Sequence, residues 1–302
     1  MELWLLYAAG AAVFAALATI LAKVGIKDVD SHSATAVRTI VVLIFAWLMV
    51  FIVGSGGEIW DISVRTWIFL LLSGLATGGS WICYFRALKL GNVNKVVPID
   101  KSSTILTMIL AFIFLAEPVG AVTAIGMLLM AVGTWMMLEL KKSDGTNIKT
   151  ASGASLISRW RLRMGWLFYA VLAAVFASLV AIFGKVGIAD IDPTLWTALR
   201  TIVVIPLSWL MVFTASSQKT IKTVALSCWA FLILSGIVTG ASWLFFYHAL
   251  QIGNASLVVP IDKLSIVLVM GFARLFLGER FTMRGIIGLG LLVLGTLLPM
   301  FV

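Results

Sequence analysis

The chain has 302 residues, 62% of them hydrophobic and 12% charged, with a net charge of +9. A soluble domain carries about a quarter charged residues, so a soluble enzyme, a disordered chain and a fibrous protein are excluded. The positive excess then belongs to loops facing anionic lipid rather than to a nucleic-acid surface.

A spanning helix takes about 20 apolar residues, which gives room for about ten spans. Apolar windows fall at 3–22, 34–53, 66–88, 96–116 and 120–139. The first window could pass for a signal peptide, but it lacks a basic start and its pattern returns inside the chain from Trp166. The second carries Arg38 about one turn in, where a cation opposes the helix dipole and needs a partner. Arg38 is read either as one arm of an ion pair within its half, with Asp100, or as an anion site.

The third window reads Ser73-Gly74, Thr77-Gly78, Ser80-Trp81. This small-residue face permits close helix packing. Trp81 adjoins it and is read either as an interfacial anchor or as a cavity wall that stacks on a cation or ring. The fourth opens on Pro98-Ile99-Asp100-Lys101. Pro suits the first position of a helix, which puts Asp100 in a favourable first turn and leaves Lys101 opposed to the dipole. Asp100 is therefore a helix-end group, or a candidate for a substrate amine or a proton. Lys101 answers negative charge. Glu117, at the tight turn after the fourth window, reads as a capping group.

Windows recur at 165–184, 196–215, 228–250, 258–277 and 284–301, and adding 162 to a residue number lands on its counterpart. Arg38-Thr39-Ile40-Val41-Val42 matches Arg200-Thr201-Ile202-Val203-Val204. Trp81 matches Trp243, and Val96 to Lys101 matches Val258 to Lys263, so Asp262, Lys263 and Arg200 inherit the roles of their twins. Lys23 and Lys185 end the first span of each copy, where a cation complements its helix end. Nearly half of the aligned pairs are identical without a gap, so the chain is a duplication. The expected domains are a five-helix repeat at 1–140, a basic linker at 141–164 and a second five-helix repeat at 165–302.

Five is odd, so the second copy enters the membrane from the opposite side. The expected fold is an all-α integral membrane protein of ten transmembrane helices in two inverted five-helix repeats, the architecture of secondary transporters. Charges present in only one copy set the orientation. Lys27, Arg86, Lys89 and Lys95 of the first copy, Lys219, Lys222, Arg280 and Arg284 of the second, and the basic linker all border one side. The positive-inside rule makes that side cytoplasmic and both termini external.

An Arg early in the second span of each half (Arg38, Arg200), a Pro opening the fourth (Pro98, Pro260) and a Leu-x-Glu ending it (Leu115-Ala116-Glu117, Leu277-Gly278-Glu279) resemble the EamA-type branch of the drug/metabolite transporter superfamily. The resemblance implies a multi-pass inner-membrane carrier of small metabolites such as amino acids or amines, working as an exporter. It also implies cytoplasmic termini, against the charge count, and the charges are favoured here.

The expected substrate-binding residues are Asp100, Lys101, Asp262, Lys263, Trp81, Trp243, Arg38 and Arg200. The expected partners are a small-molecule substrate, the lipid bilayer and protons, with no nucleic acid and a monomer or homodimer. No metal or cofactor is expected, since phosphate-loop, paired-His and dinucleotide signatures are missing. Alternative readings are a carrier of a lipid-linked sugar or nucleotide-sugar, a membrane-embedded enzyme, for which His248, without a His twin, is the candidate, and a scaffold without transport.

Overall fold

The computed structural model describes residues 3–25, 30–90, 96, 99–118, 120–137, 156–215, 226–277 and 282–301. Among these, eleven α-helices follow in order: α1 (Leu3–Gly25), α2 (Ser31–Val53), α3 (Val64–Leu90), α4 (Ser103–Leu115), α5 (Ala121–Met137), α6 (Leu156–Gly187), α7 (Pro193–Thr214), α8 (Leu226–Ile252), α9 (Ala255–Lys263), α10 (Ser265–Leu277) and α11 (Met283–Leu297). Eight apolar helical stretches are long enough to cross a bilayer, and Ala121–Met136 is a shorter apolar helix. Phe51, Trp60 and Leu275 are 84%, 90% and 77% exposed. Apolar surface of that kind belongs against lipid rather than water.

The helix count exceeds ten because the fourth span of the second copy is divided. α9 ends at Lys263 and α10 starts at Ser265, with Leu264 between them. Pro260 lies inside α9, where its ring removes one ladder bond. Expectation placed Pro260 at the start of this span. The helix instead begins at Ala255, because the Glu117 carboxylate accepts the N–H groups of Ala255 and Ser256 at 2.7 and 2.8 Å. With its first donors satisfied, the helix starts a full turn ahead of the proline. Pro98 lies outside the described residues, but the same break appears at Ser102, the twin of Leu264, just before α4.

The second span of each copy also begins earlier than hydropathy indicates. Asp30 caps α2, its Oδ2 accepting from His32 and Ser33. Its twin Asp192 caps α7 through Thr194 and Leu195, with Pro193 in the first turn. At 1.5 Å per residue the early start carries Arg38 and Arg200 roughly 10 Å into their helices, twice the expected depth. α2 ends at Gly54, whose φ of 81° is left-handed and whose N–H returns to Val50.

The chain forms two compact units that cut across the copies. One comprises Met1–Gly78, Thr107–Glu117 and Leu179–Arg280, and the other Gly79–Leu106, Pro118–Ser178 and Phe281–Val302. In the first, α8 packs on α1 and α2, and α2 packs on α7. The register follows the 162-residue offset. A Cβ on Gly74 would meet Val203 at 2.7 Å, and one on Gly236 would meet Val41 at 2.6 Å. Ser73 donates to the Val180 carbonyl and its twin Ser235 to that of Ala18. In the second unit α5 packs on α11 so closely that Gly126 and Gly295 face each other's carbonyls. Ala87, Val96 and Ala170 form a small core there, covered by Tyr84, Trp166 and Tyr169.

Candidate functional site

Ser73 and Thr77 stand four residues apart on α3, hence on one face of the helix. The Thr77 hydroxyl donates to the Ser73 carbonyl at 2.9 Å and Ser73 Oγ donates to Val180. Both oxygens keep lone pairs, and both are used by Arg200 of α7. Its Nε donates to Ser73 Oγ at 3.1 Å and its Nη2 to Thr77 Oγ1. The rings of Trp243 and Tyr247 each stand 5.3 Å from the guanidinium carbon, close enough for cation–π attraction. Arg200 is 3% exposed. Among the described residues no carboxylate pairs with it.

The expected alternative for Arg200, an ion pair with Asp262, is corrected by this arrangement. Asp262 pairs with its neighbour Lys263, Oδ2 to Nζ at 3.4 Å. Both stand in the last turn of α9 rather than the first. Lys263 therefore complements the carbonyl end of a helix instead of opposing an amide end. Its side chain is 43% exposed and that of Asp262 17%. Asp100 is partly buried and Lys101 exposed, both helical and just ahead of the break at Ser102.

Arg38 of α2 likewise reaches a hydroxyl of the other copy. Its Nη2 donates to Thr239 Oγ1 at 2.7 Å, and the Thr239 hydroxyl donates to the Ser235 carbonyl at 2.6 Å. This is the Arg200–Thr77 contact repeated at an offset of 162. Both arginines thus join the second span of one copy to the third span of the other. The first compact unit brings together Arg38 with Thr239, and Arg200 with Ser73, Thr77, Trp243 and Tyr247. Trp81, the twin of Trp243, is partly buried on α3. The serines and threonines read in sequence as a packing stripe; their spacing of four was the signal that they also form an acceptor face.

Other polar groups serve the fold. Lys185 donates from Nζ to the carbonyls of Leu250, Gln251 and Gly253. It stands in the last turn of its own helix, as expected, and its hydrogen bonds complete the end of α8. Glu117 is a capping group as expected, on a helix of the other copy. The side chain of Lys23 and all of Glu279 lie outside the described residues. His248 stacks on Tyr7 with ring centroids 5.1 Å apart, and its Nδ1 lies 2.9 Å from the Leu244 carbonyl. Its twin Arg86 lies over Tyr169, the twin of Tyr7. His248 thus fills a slot the duplication supplies.

The duplicated cross-copy contacts coincide with a known sequence pattern. The pattern of the EamA-like transporter family matches residues 2–139 and again residues 164–301. The chain belongs to the EamA-like transporter family. It is thereby a member of the drug/metabolite transporter superfamily and a multi-pass membrane transporter. This EamA chain is 40% identical over 137 residues to a Sinorhizobium sp protein described as an uncharacterized transporter in the cobO 3' region. That match covers 45% of the chain and 97% of the relative, so the relative has about the length of one repeat. A protein of known crystal structure superposes with a TM-score of 0.73 at 16% identity, over 97% of this chain and 96% of its own. At that identity the likeness shows the fold alone.

Proposed function

We propose that this EamA protein is a secondary carrier of small metabolites, amino acids or amines, that exports them across the inner membrane by alternating access between two inverted repeats. The observation that carries the reading is the pair of guanidinium groups held by neutral hydroxyls of the opposite copy, Arg38 on Thr239 and Arg200 on Ser73 and Thr77. Charges within spanning segments are costly and mark substrate or ion pathways unless the fold satisfies them. An arginine held by a neutral hydroxyl, with no carboxylate partner among the described residues, can answer an anionic group that arrives from outside the fold. In inverted-repeat carriers substrate sites lie at the interface of the repeats, and these contacts join one repeat to the other. Trp243 adds a ring face for an apolar or cationic part of the substrate. Asp100 and Asp262 are the candidates for proton coupling, each next to a lysine in sequence.

The test is a growth-tolerance and uptake screen. The protein is produced in a bacterial inner membrane and challenged with toxic concentrations of amino acids and amines. The reading requires tolerance to at least one compound and lowered cellular accumulation of it. No difference from an empty-vector strain across the panel would contradict it.

A further inference from the structure

Arg38 and Arg200 are twins in sequence, but their hydrogen bonding differs. Arg200 uses Nε on Ser73 and Nη2 on Thr77. Arg38 uses Nη2 on Thr239, while its Nε–H is buried without an acceptor. Ser235, the twin of the serine that accepts from Arg200, donates to Ala18 and takes nothing from Arg38. Access differs as well. Arg200 is 3% and Thr77 6% exposed, whereas Arg38 and Thr239 are both partly exposed.

The residues around each arginine account for the difference. One turn before Arg200 stands Trp196, fully buried, its ring edge-on to Tyr247 with centroids 6.1 Å apart. The twin of Trp196 is Ala34, and the twin of Tyr247 is Phe85. The second copy thus backs the Tyr247 ring, which lies over its arginine, with the large ring of Trp196. At the position of Trp196 the first copy supplies only a methyl group.

A buried donor left without an acceptor costs about 1–3 kcal/mol, and more when it is charged. Such a group needs an explanation. The orphaned atom here is one arm of a fork: Nε–H and the neighbouring Nη2–H of a guanidinium match the two oxygens of a carboxylate. Nη2 of Arg38 is held by the neutral Thr239 hydroxyl, which a carboxylate oxygen would displace. One fork carries one positive charge and suits a monocarboxylate. A phosphate dianion calls for further cations. We propose that Arg38 is the receptor for the substrate carboxylate and that Arg200 is its structural counterpart, its Nε and Nη2 already held by the protein. The inference rests on the carrier reading and narrows it: amino acids and other monocarboxylates are substrates, and amines without a carboxylate are not.

The test compares purified full-length wild type with Arg38→Gln, Arg38→Lys and Arg200→Gln. Without added compounds, Arg38→Gln should unfold at or above the wild-type temperature, because it removes an unsatisfied charge. Arg200→Gln should unfold well below it, because it removes two hydrogen bonds and two cation–π contacts. The twenty proteinogenic amino acids, the amine obtained by decarboxylating each one that binds, and inorganic phosphate are then added. At least one amino acid should raise the wild-type unfolding temperature while its amine does not. Arg38→Gln should abolish that shift, and Arg38→Lys, which keeps the charge without the fork, should weaken binding about tenfold or more. Several results would overturn the assignment: an Arg38→Gln protein that is unstable or fails to fold, amino-acid shifts retained in that variant, no shift by any amino acid, or a shift by phosphate that depends on Arg38. If wild type transports in the screen above and Arg38→Gln transports equally, this inference fails while the carrier reading stands. If wild type transports nothing, the carrier reading itself fails.

Discussion

Lys185 and Glu117 grip one short connection from its two ends. Lys185 Nζ lies 2.8 Å from the carbonyls of Leu250 and Gly253 and 3.1 Å from that of Gln251, at the end of α8. Glu117 takes the first two N–H groups of α9, those of Ala255 and Ser256. A cation sits on the negative end of one helix and an anion on the positive end of the next. The connection between the third and fourth spans of the second copy is thereby fixed by one residue from each copy.

Glu117→Ala should lower stability by about 2–4 kcal/mol, since two buried donors lose their acceptor. Glu117→Gln keeps one acceptor oxygen and should fall about halfway. Thermal unfolding of the purified protein in detergent checks both. Equal stability of wild type and Glu117→Ala would remove the cap from the account.

Lys185→Met should lower stability by about 1–3 kcal/mol, because three carbonyls lose a shared charged donor while the aliphatic stem stays packed. Lys185→Arg should recover part of this. The same unfolding measurement applies, and hydrogen exchange should quicken first around 250–255.

Ala116 has a φ of 52°, left-handed for a residue with a side chain. This turn swings Glu117 back toward α9. The twin position holds Gly278. Ala116→Gly should therefore stabilise the protein by about 0.5 kcal/mol, the relief of left-handed strain outweighing the entropy gained by the unfolded chain. A loss of stability would contradict the geometry.

Gly133→Ala should destabilise by about 1–3 kcal/mol. Its Cβ would stand 2.6 Å from the Gly288 carbonyl and from the Leu292 nitrogen, both backbone atoms that cannot rotate away. On the facing helix, a Cβ added to Gly290 would meet nothing within 4 Å. Gly290→Ala should accordingly stabilise by up to about 1 kcal/mol through helix propensity. The opposite signs of the two changes are the check.

The charge count places 141–164 in the cytoplasm and both termini outside. With Cys83 and Cys228 replaced by serine, a single cysteine in 141–164 should resist an impermeant thiol reagent in intact cells and react after permeabilisation. Reaction in intact cells would give the protein the orientation the family resemblance implies.

Much of this was legible in the residue order. Hydropathy marked the eight stretches long enough to cross a bilayer among its ten windows, and the offset of 162 marked a duplication whose contacts recur in pairs, such as Ser73 with Val180 and Ser235 with Ala18. Partner choice was not legible. Asp262 reads as the natural partner of Arg200, since opposite charges attract. The helix break at Leu264, however, puts Asp262 beside Lys263 and leaves Arg200 to hydroxyls four residues apart on α3. The early start of α9 was hidden for a related reason. A proline signals a helix start only when nothing upstream satisfies the first N–H groups, and Glu117, far away in sequence, does so. The difference between Arg38 and Arg200 was written in Ala34 and Trp196 all along, but it matters only once these residues are known to share a helix face with the arginines.

A carrier of small carboxylate-bearing metabolites should move them without ATP. The direct measurement is amino-acid flux in proteoliposomes of the purified protein with an imposed pH gradient and no nucleotide. Uptake should be concentrative, collapse when the gradient is dissipated and be lost in Arg38→Gln. Flux that ignores the gradient, with Asp100→Asn and Asp262→Asn both fully active, would contradict proton coupling. No flux of any amino acid above that of protein-free liposomes would contradict the account as a whole.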